Sequence, residues 1–179
     1  MSRKNIFAII GSASRHSSNL KIVRYLEAAT QAHFNWTVFD DLRELPHFDP
    51  ERTDSDVPAV IENFRTAIRQ ADAVLICTPE YVFSIPSGLK NALEWCVSTV
   101  VFSEKSVALI TASANGLKGH EELQLILRTL GAHVPENASL LIQGVKGKVD
   151  ADGNITHAAT KRELNDFAGV LRDLLPAIP

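Results

Sequence analysis

Two loops in this chain hold residues whose types and spacing suit ligand chemistry. The first is Gly11-Ser-Ala-Ser-Arg-His-Ser-Ser-Asn19, small and polar, with hydroxyls at Ser12, Ser14, Ser17 and Ser18 and a cation at Arg15. Leu20-Lys-Ile-Val-Arg-Tyr-Leu26 follows with apolar residues at helical spacing, so the loop faces a helix N-terminus. Free backbone N–H groups, hydroxyls and the positive end of a helix dipole together suit a phosphate. Arg15 adds a charge-assisted donor. Ser17 or Asn19 also reads as a helix cap, and capping is compatible with phosphate binding.

The second loop lies within Pro79-Glu-Tyr-Val-Phe-Ser-Ile-Pro-Ser-Gly-Leu-Lys-Asn-Ala-Leu-Glu-Trp95. It follows Ala73-Val-Leu-Ile-Cys77, an apolar run that reads as a buried parallel strand. Pro79 cannot continue a central strand, and Pro86 suits the first turn of a helix. Ser84 reads as the N-cap of that helix, with Leu89, Leu93 and Cys96 on its apolar face. Glu80 to Phe83 therefore sit at the carboxyl end of a central strand, where open α/β sheets bind ligands.

The remaining elements must position these loops. Strands read at Asn5–Ile10, Trp36–Asp40, Ser106–Thr111 and Ala138–Gln143. Helices read from Pro58 to about Gln70, His120 to Leu130 and Thr160 to about Leu175. Residues 41–50 carry two prolines and no clear period, which predicts a long loop. Ala112–Gly119 reads as a third small polar loop, and Asp152-Gly153-Asn154 as the turn of a small hairpin or excursion. Strands alternating with helices predict a five-stranded parallel sheet covered on both faces. Right-handed crossovers and the small loops after strands one, three and four favour the order 2-1-3-4-5, with those three loops at one rim.

The chain has 179 residues, 45% of them hydrophobic, and a formal net charge of −3, which fits one domain over 1–179. That charge argues against a nucleic-acid binder driven by bulk positive charge. No apolar run approaches the ~20 residues of a membrane span, and no secretory pattern precedes the first strand, so a cytoplasmic protein is expected. Cys77 and Cys96 read as buried free thiols, and with the six histidines they make no metal-ligand spacing.

Taken together, the loops resemble the NADPH-dependent FMN reductase family, flavodoxin-like enzymes with a three-layer α/β sandwich. The resemblance runs from the first strand to the last helix. Gly11, Ser12, Ser17 and Asn19 match its first motif, with Ser14 at the family's Arg position and Arg15 one place on. Pro79, Glu80, Tyr81, Ser84, Pro86, Leu89, Lys90, Asn91 and Trp95 match its second and more specific motif. Val82 stands there for the usual Asn, and Glu94 for the commoner Asp. Ser113 and Gly119 fit the third motif, with Asn115 and Lys118 at usual glycine positions.

The resemblance implies an FMN site built from Ser12, Arg15, Ser17, Ser18, Asn19 and Leu20 at the phosphate, and Pro79, Glu80, Tyr81, Val82, Phe83 and Ser84 along the ring. Ser113, Asn115 and Gly116 support its other edge. It implies NADPH or NADH as electron donor, a flavin, quinone, azo or similar small-molecule acceptor, and a homodimer, with a homotetramer as the larger assembly. Chemistry would sit on the flavin, with no side-chain acid or base as catalyst. No residue clearly reads the 2′-phosphate of NADPH; Arg15, Arg43 and Lys118 are the candidates. A flavodoxin-like electron carrier without direct NAD(P)H reaction, and a flavin-free domain that kept the fold, are the competing readings.

Overall fold

The protein is described by a computed structural model over residues 3–14 and 16–175. Five strands, β1 (Lys4–Ile10), β2 (Phe34–Phe39), β3 (Ala73–Thr78), β4 (Ser106–Ala112) and β5 (Ser139–Ile142), pair in parallel in the order β2-β1-β3-β4-β5. Five helices connect or follow them: α1 (Ser18–Thr30), α2 (Ala59–Gln70), α3 (Ser87–Glu94), α4 (Leu117–Thr129) and α5 (Ala158–Leu174). Successive strand side chains point to opposite faces, so each strand feeds two cores. Phe7, Ile9, Val74 and Ile76 pack with α2, α3 and α4. Ile6, Ala8, Leu75 and Cys77 pack with α1 and α5. Strands buried on both sides must be apolar throughout, and β3 is buried at every position. Each fully buried Ile or Leu contributes roughly 1.5–3 kcal/mol.

The register aligns Ile10 with Cys77 and Cys77 with Ile110. The loops after β1, β3 and β4 therefore leave the sheet at the same edge. Gly11 is required there by close approach: a Cβ would lie 2.2 Å from Thr78 Oγ1.

The helix after Pro86 departs from expectation at both ends. It starts at Ser87 with Pro86 as N-cap and no side-chain cap, so Ser84 is not its cap. Its apolar pattern runs on past residue 95, yet it ends at Glu94. The cause is a distant side chain. Buried Arg65 donates from Nε and Nη2 to the Trp95 carbonyl at 2.9 and 2.5 Å, and from Nη1 to the Thr53 carbonyl at 3.1 Å. Helix α4 begins a turn earlier than expected, at Leu117, for a reason that belongs to the site. The segment 144–155 is an excursion with one antiparallel bridge, Val149 to Ile155, and Gly153 at φ +91° in its turn.

Candidate active site

Ser17 caps α1, its Oγ accepting from Asn19 N at 3.1 Å. The first turn of α1 contains no acidic residue, so its N–H groups face an edge that favours an anion. Asn19 is buried, and its side chain is committed inward. Nδ2 donates to the Ala112 carbonyl at 3.2 Å, and Oδ1 accepts from the Cys77 thiol at 3.4 Å. Asn19 thus ties the β1 loop to the ends of β3 and β4. Ser12 is buried, and its Oγ accepts from Ser14 N at 3.2 Å. Arg15 lies outside the described residues.

After β3 the chain makes a two-residue hairpin. Tyr81 N donates to Ser84 O at 2.9 Å, and Ser84 N to Tyr81 O at 3.0 Å. Both central residues have positive φ, Val82 at +52° and Phe83 at +59°. Their side chains are 94% and 71% exposed. Left-handed backbone costs about 1–2 kcal/mol per non-glycine residue, and a β-branched side chain makes it worse. Strain of this kind persists where surrounding structure enforces it, and it concentrates at functional sites. An Asn at position 82 would have signalled the conformation; Val-Phe gave no such signal.

Two carboxylates hold this turn against the β4 loop. Glu80 Oε1 accepts from Gly116 N at 3.2 Å and Oε2 from Gly119 N at 2.9 Å. Gly116 is the N-cap of α4 at φ +90° and has no side chain to cap with. Glu80 supplies that cap from another element, which is why Leu117–Gly119 join the helix instead of the loop. Asn115, at a usual glycine position, does not take the left-handed conformation; Gly116 does. Its Oδ1 accepts instead from Gln143 Nε2 at 2.9 Å. Ser113 Oγ donates to the Glu80 carbonyl at 3.4 Å. Glu122 completes the tie: Oε2 accepts from the Ser84 hydroxyl at 2.6 Å and from Ile85 N at 3.0 Å. Sequence reasoning missed Glu122, because nothing in its local pattern separates it from a solvated helix charge.

A cleft of about 410 Å³ opens beside these loops. Gly11–Ser14, Tyr81, Pro86–Gly88 and Asn91 form one side, and Asp40–Arg43, Leu45 and His47 the other. Of the expected ligand residues, Ser12 and Tyr81 line it; Ser17–Leu20 and Ser113–Gly116 lie along the same rim outside it. Arg43 forms a two-point ion pair with Asp41, at 2.7 and 2.6 Å, and that hydrogen bond raises its pKa further. Lys118 pairs with Glu121 at 2.8 Å. Asn91 and Trp95 bind the Pro46 carbonyl, and Asn91 accepts from Phe48 N, so the 46–48 wall of the cleft is pinned to α3.

His120 is a core tie more than a surface residue. Nδ1 meets Thr111 Oγ1 at 2.9 Å and Nε2 meets Ser139 Oγ at 2.9 Å, joining α4 to β4 and β5. Burial lowers its pKa, with Glu121 opposing. Cys77 and Cys96 are buried, and burial pushes the Cys77 thiol well up and Cys96 to about 12. Neither offers a thiolate at neutral pH.

An open parallel sheet with a neutral, capped helix N-terminus and a strained turn at the carboxyl edge defines an α/β nucleotide-cofactor protein of the flavodoxin-like class. The donor set fits a phosphorylated flavin: hydroxyls and helix N–H groups for the phosphate, and exposed turn backbone for a ring. The comparisons specify the class. The family model for NADPH-dependent FMN reductase matches residues 4–146, and the chain belongs to that family. It is 32% identical to a 2-hydroxy-1,4-benzoquinone reductase from a Burkholderia species, over 90% of this chain and 91% of that one. It is 31% identical to a quinone reductase of Escherichia coli K12, over 84% of each. The flavoenzyme NAD(P)H:(acceptor) oxidoreductase FerB of Paracoccus denitrificans superposes with a TM-score of 0.84, at 25% identity over 96% of both chains. The protein is thus an NAD(P)H-dependent flavin oxidoreductase with FMN as its cofactor.

Proposed function

We propose that this rim binds FMN as one site within a single domain, and that the acceptor is a quinone. The observation that carries the flavin assignment is the meeting, at one sheet edge, of an acid-free helix N-terminus and a backbone turn in left-handed conformation. The phosphate rests on the Ser12–Leu20 segment, where Ser17, Ser18 and the N–H groups of α1 donate, with Arg15 as the cation assigned from sequence. The Pro79–Ser84 segment lies along the ring through its backbone. Ser113, Asn115 and Gly116 hold the other edge, with Asn19 and Glu80 keeping the three loops in register. When bound, FMN supplies the chemistry by accepting a hydride from NAD(P)H and releasing it to the acceptor.

Binding, alignment and shielding are what the chain's own residues do. Ser17 orients the first turn of α1 towards the phosphate. Glu80 and Glu122 keep the turn from relaxing. Tyr81, on the wall of the cleft, gives an apolar surface for a flat acceptor beside the ring. Quinone reductases among the relatives support that acceptor class. Val97 and Val100, 61% and 81% exposed after α3, form a contact with a second copy of the chain in a homodimer, itself able to pair into a homotetramer. Two reduced, buried thiols fit a cytoplasmic protein, and no helix among the described residues is long and apolar enough to cross a membrane.

Comparing FMN with riboflavin tests the phosphate assignment. Titrated into flavin-free protein, FMN binds at least about tenfold more tightly than riboflavin, since charge-assisted donors at the helix end act only on the phosphate. Equal affinities remove the phosphate from this loop.

A further inference from the structure

The strained turn has a side-chain support that lies outside its own loop. Glu122, on the second turn of α4, spends one carboxylate oxygen on the Ser84 hydroxyl and the Ile85 N–H. No cation among the described residues pairs with it. Ser84 is the closing residue of the hairpin, bonded through both N–H and C=O to Tyr81. Ile85 is buried in the core below it. Glu122 therefore clamps the last rung of the hairpin to the next residue, at the point where the strained backbone re-enters the protein. Helix α4 comes close enough because residue 119 is glycine: a Cβ there would lie 3.2 Å from Ser84 O and 3.3 Å from Glu80 Cβ.

Val82 and Phe83 give the turn no help of their own. Their side chains are in solvent and their backbone dihedrals disfavour both residue types. The conformation must be enforced at its base, by the Tyr81–Ser84 pair, the bonds of Glu80 to Gly116 and Gly119, and the two bonds to Glu122. We propose that Glu122 is a positioning residue for the flavin: it acts through Ser84 and Ile85 to hold the backbone of Val82 and Phe83 in the conformation that meets the ring. This rests on the flavin site assigned above.

The test titrates FMN into flavin-free wild-type, Glu122→Ala and Glu122→Gln proteins, and follows amide hydrogen exchange in the same three without flavin. In Glu122→Ala the FMN dissociation constant rises about tenfold, less than the full worth of two charge-assisted hydrogen bonds because the loss falls on the turn and reaches the flavin only through it. Exchange at Ser84 and Ile85 accelerates, while β1 and α1 keep wild-type protection. Glu122→Gln retains an acceptor oxygen and lies nearer to wild type in both measurements. Unchanged FMN affinity in Glu122→Ala overturns the proposal, and so does acceleration spread equally over β1 and α1, the mark of general destabilisation. Failure of wild-type protein itself to bind FMN overturns the flavin site, and with it the positioning role, while exchange at Ile85 still reports whether Glu122 holds the turn.

Discussion

The loop after β1 and the paired loops after β3 and β4 share one rim but are anchored by opposite chemistry. In the β1 loop the anchors are neutral and point inward: Ser12 to Ser14, Ser17 to Asn19, and Asn19 to Ala112 and Cys77. In the other pair the anchors are anions that collect N–H and O–H donors: Glu80 from Gly116 and Gly119, Glu122 from Ser84 and Ile85. The difference fits the part of the ligand proposed for each loop. A phosphate site gains from uncommitted N–H groups and from the absence of nearby carboxylates on its own helix. A backbone turn that contacts a neutral ring tolerates carboxylates, and they are the strongest acceptors for fastening it.

Breaking the neutral side should have the larger effect on stability. Asn19→Ala leaves the buried Ala112 carbonyl and Cys77 thiol without their partner and costs about 2 kcal/mol in urea denaturation. A loss under about 0.5 kcal/mol would show that the tie between β1 loop and strands is slack. Glu80→Ala removes the cap of α4 and costs about 1–2 kcal/mol, with extra amide exchange confined to residues 116–119. Exchange spreading through β1 instead would mean that the two halves of the rim are not separately anchored.

Val82→Asn sharpens the contrast in the other direction. Asn adopts left-handed backbone more readily, so the variant gains about 0.5–1 kcal/mol and a higher Tm. A loss would show that Val82 makes a contact worth more than its strain.

The smallest effect concerns pH. His120 in the folded protein has its pKa below the ordinary value of 6.5, because burial disfavours the imidazolium. The unfolded chain then binds the proton first as pH falls. Stability from this group is complete above about 6.5 and is lost as pH drops through the lower folded value. Tm measured from pH 7 to 5 falls less steeply in His120→Gln than in wild type; parallel slopes would exclude the tie as a titrating group.

How much of this was legible follows from where each determinant lies. Parallel strands buried on both faces read directly as apolar runs, so β1, β3 and β4 were found nearly to the residue, and the small loops between them gave the 2-1-3-4-5 order. The ends of α3 and α4 were not legible, because neither is set locally. Arg65 takes the carbonyl of Trp95, 30 residues away, and Glu80 caps Gly116 across 36 residues. The conformation of Val82-Phe83 was hidden for a different reason: the residues contradict their dihedrals, and the bonds at the base of the turn run to α4, from Glu80 to Gly116 and Gly119 and from Ser84 and Ile85 to Glu122. Asn19 was read as a ligand residue from its motif; its side chain is committed to Ala112 and Cys77 within the protein, a role that the motif alone does not reveal.

The central claim is that this rim holds FMN and passes electrons from NAD(P)H to a quinone. The direct measurement is the visible flavin absorbance of the protein, loaded with FMN and desalted, kept anaerobic, and given NADPH or NADH and then a benzoquinone. The account predicts that the band survives desalting, bleaches with the nicotinamide cofactor and returns with the quinone. A band that survives but stays oxidised would contradict the reductase chemistry, and protein that retains no flavin at all would contradict the site itself.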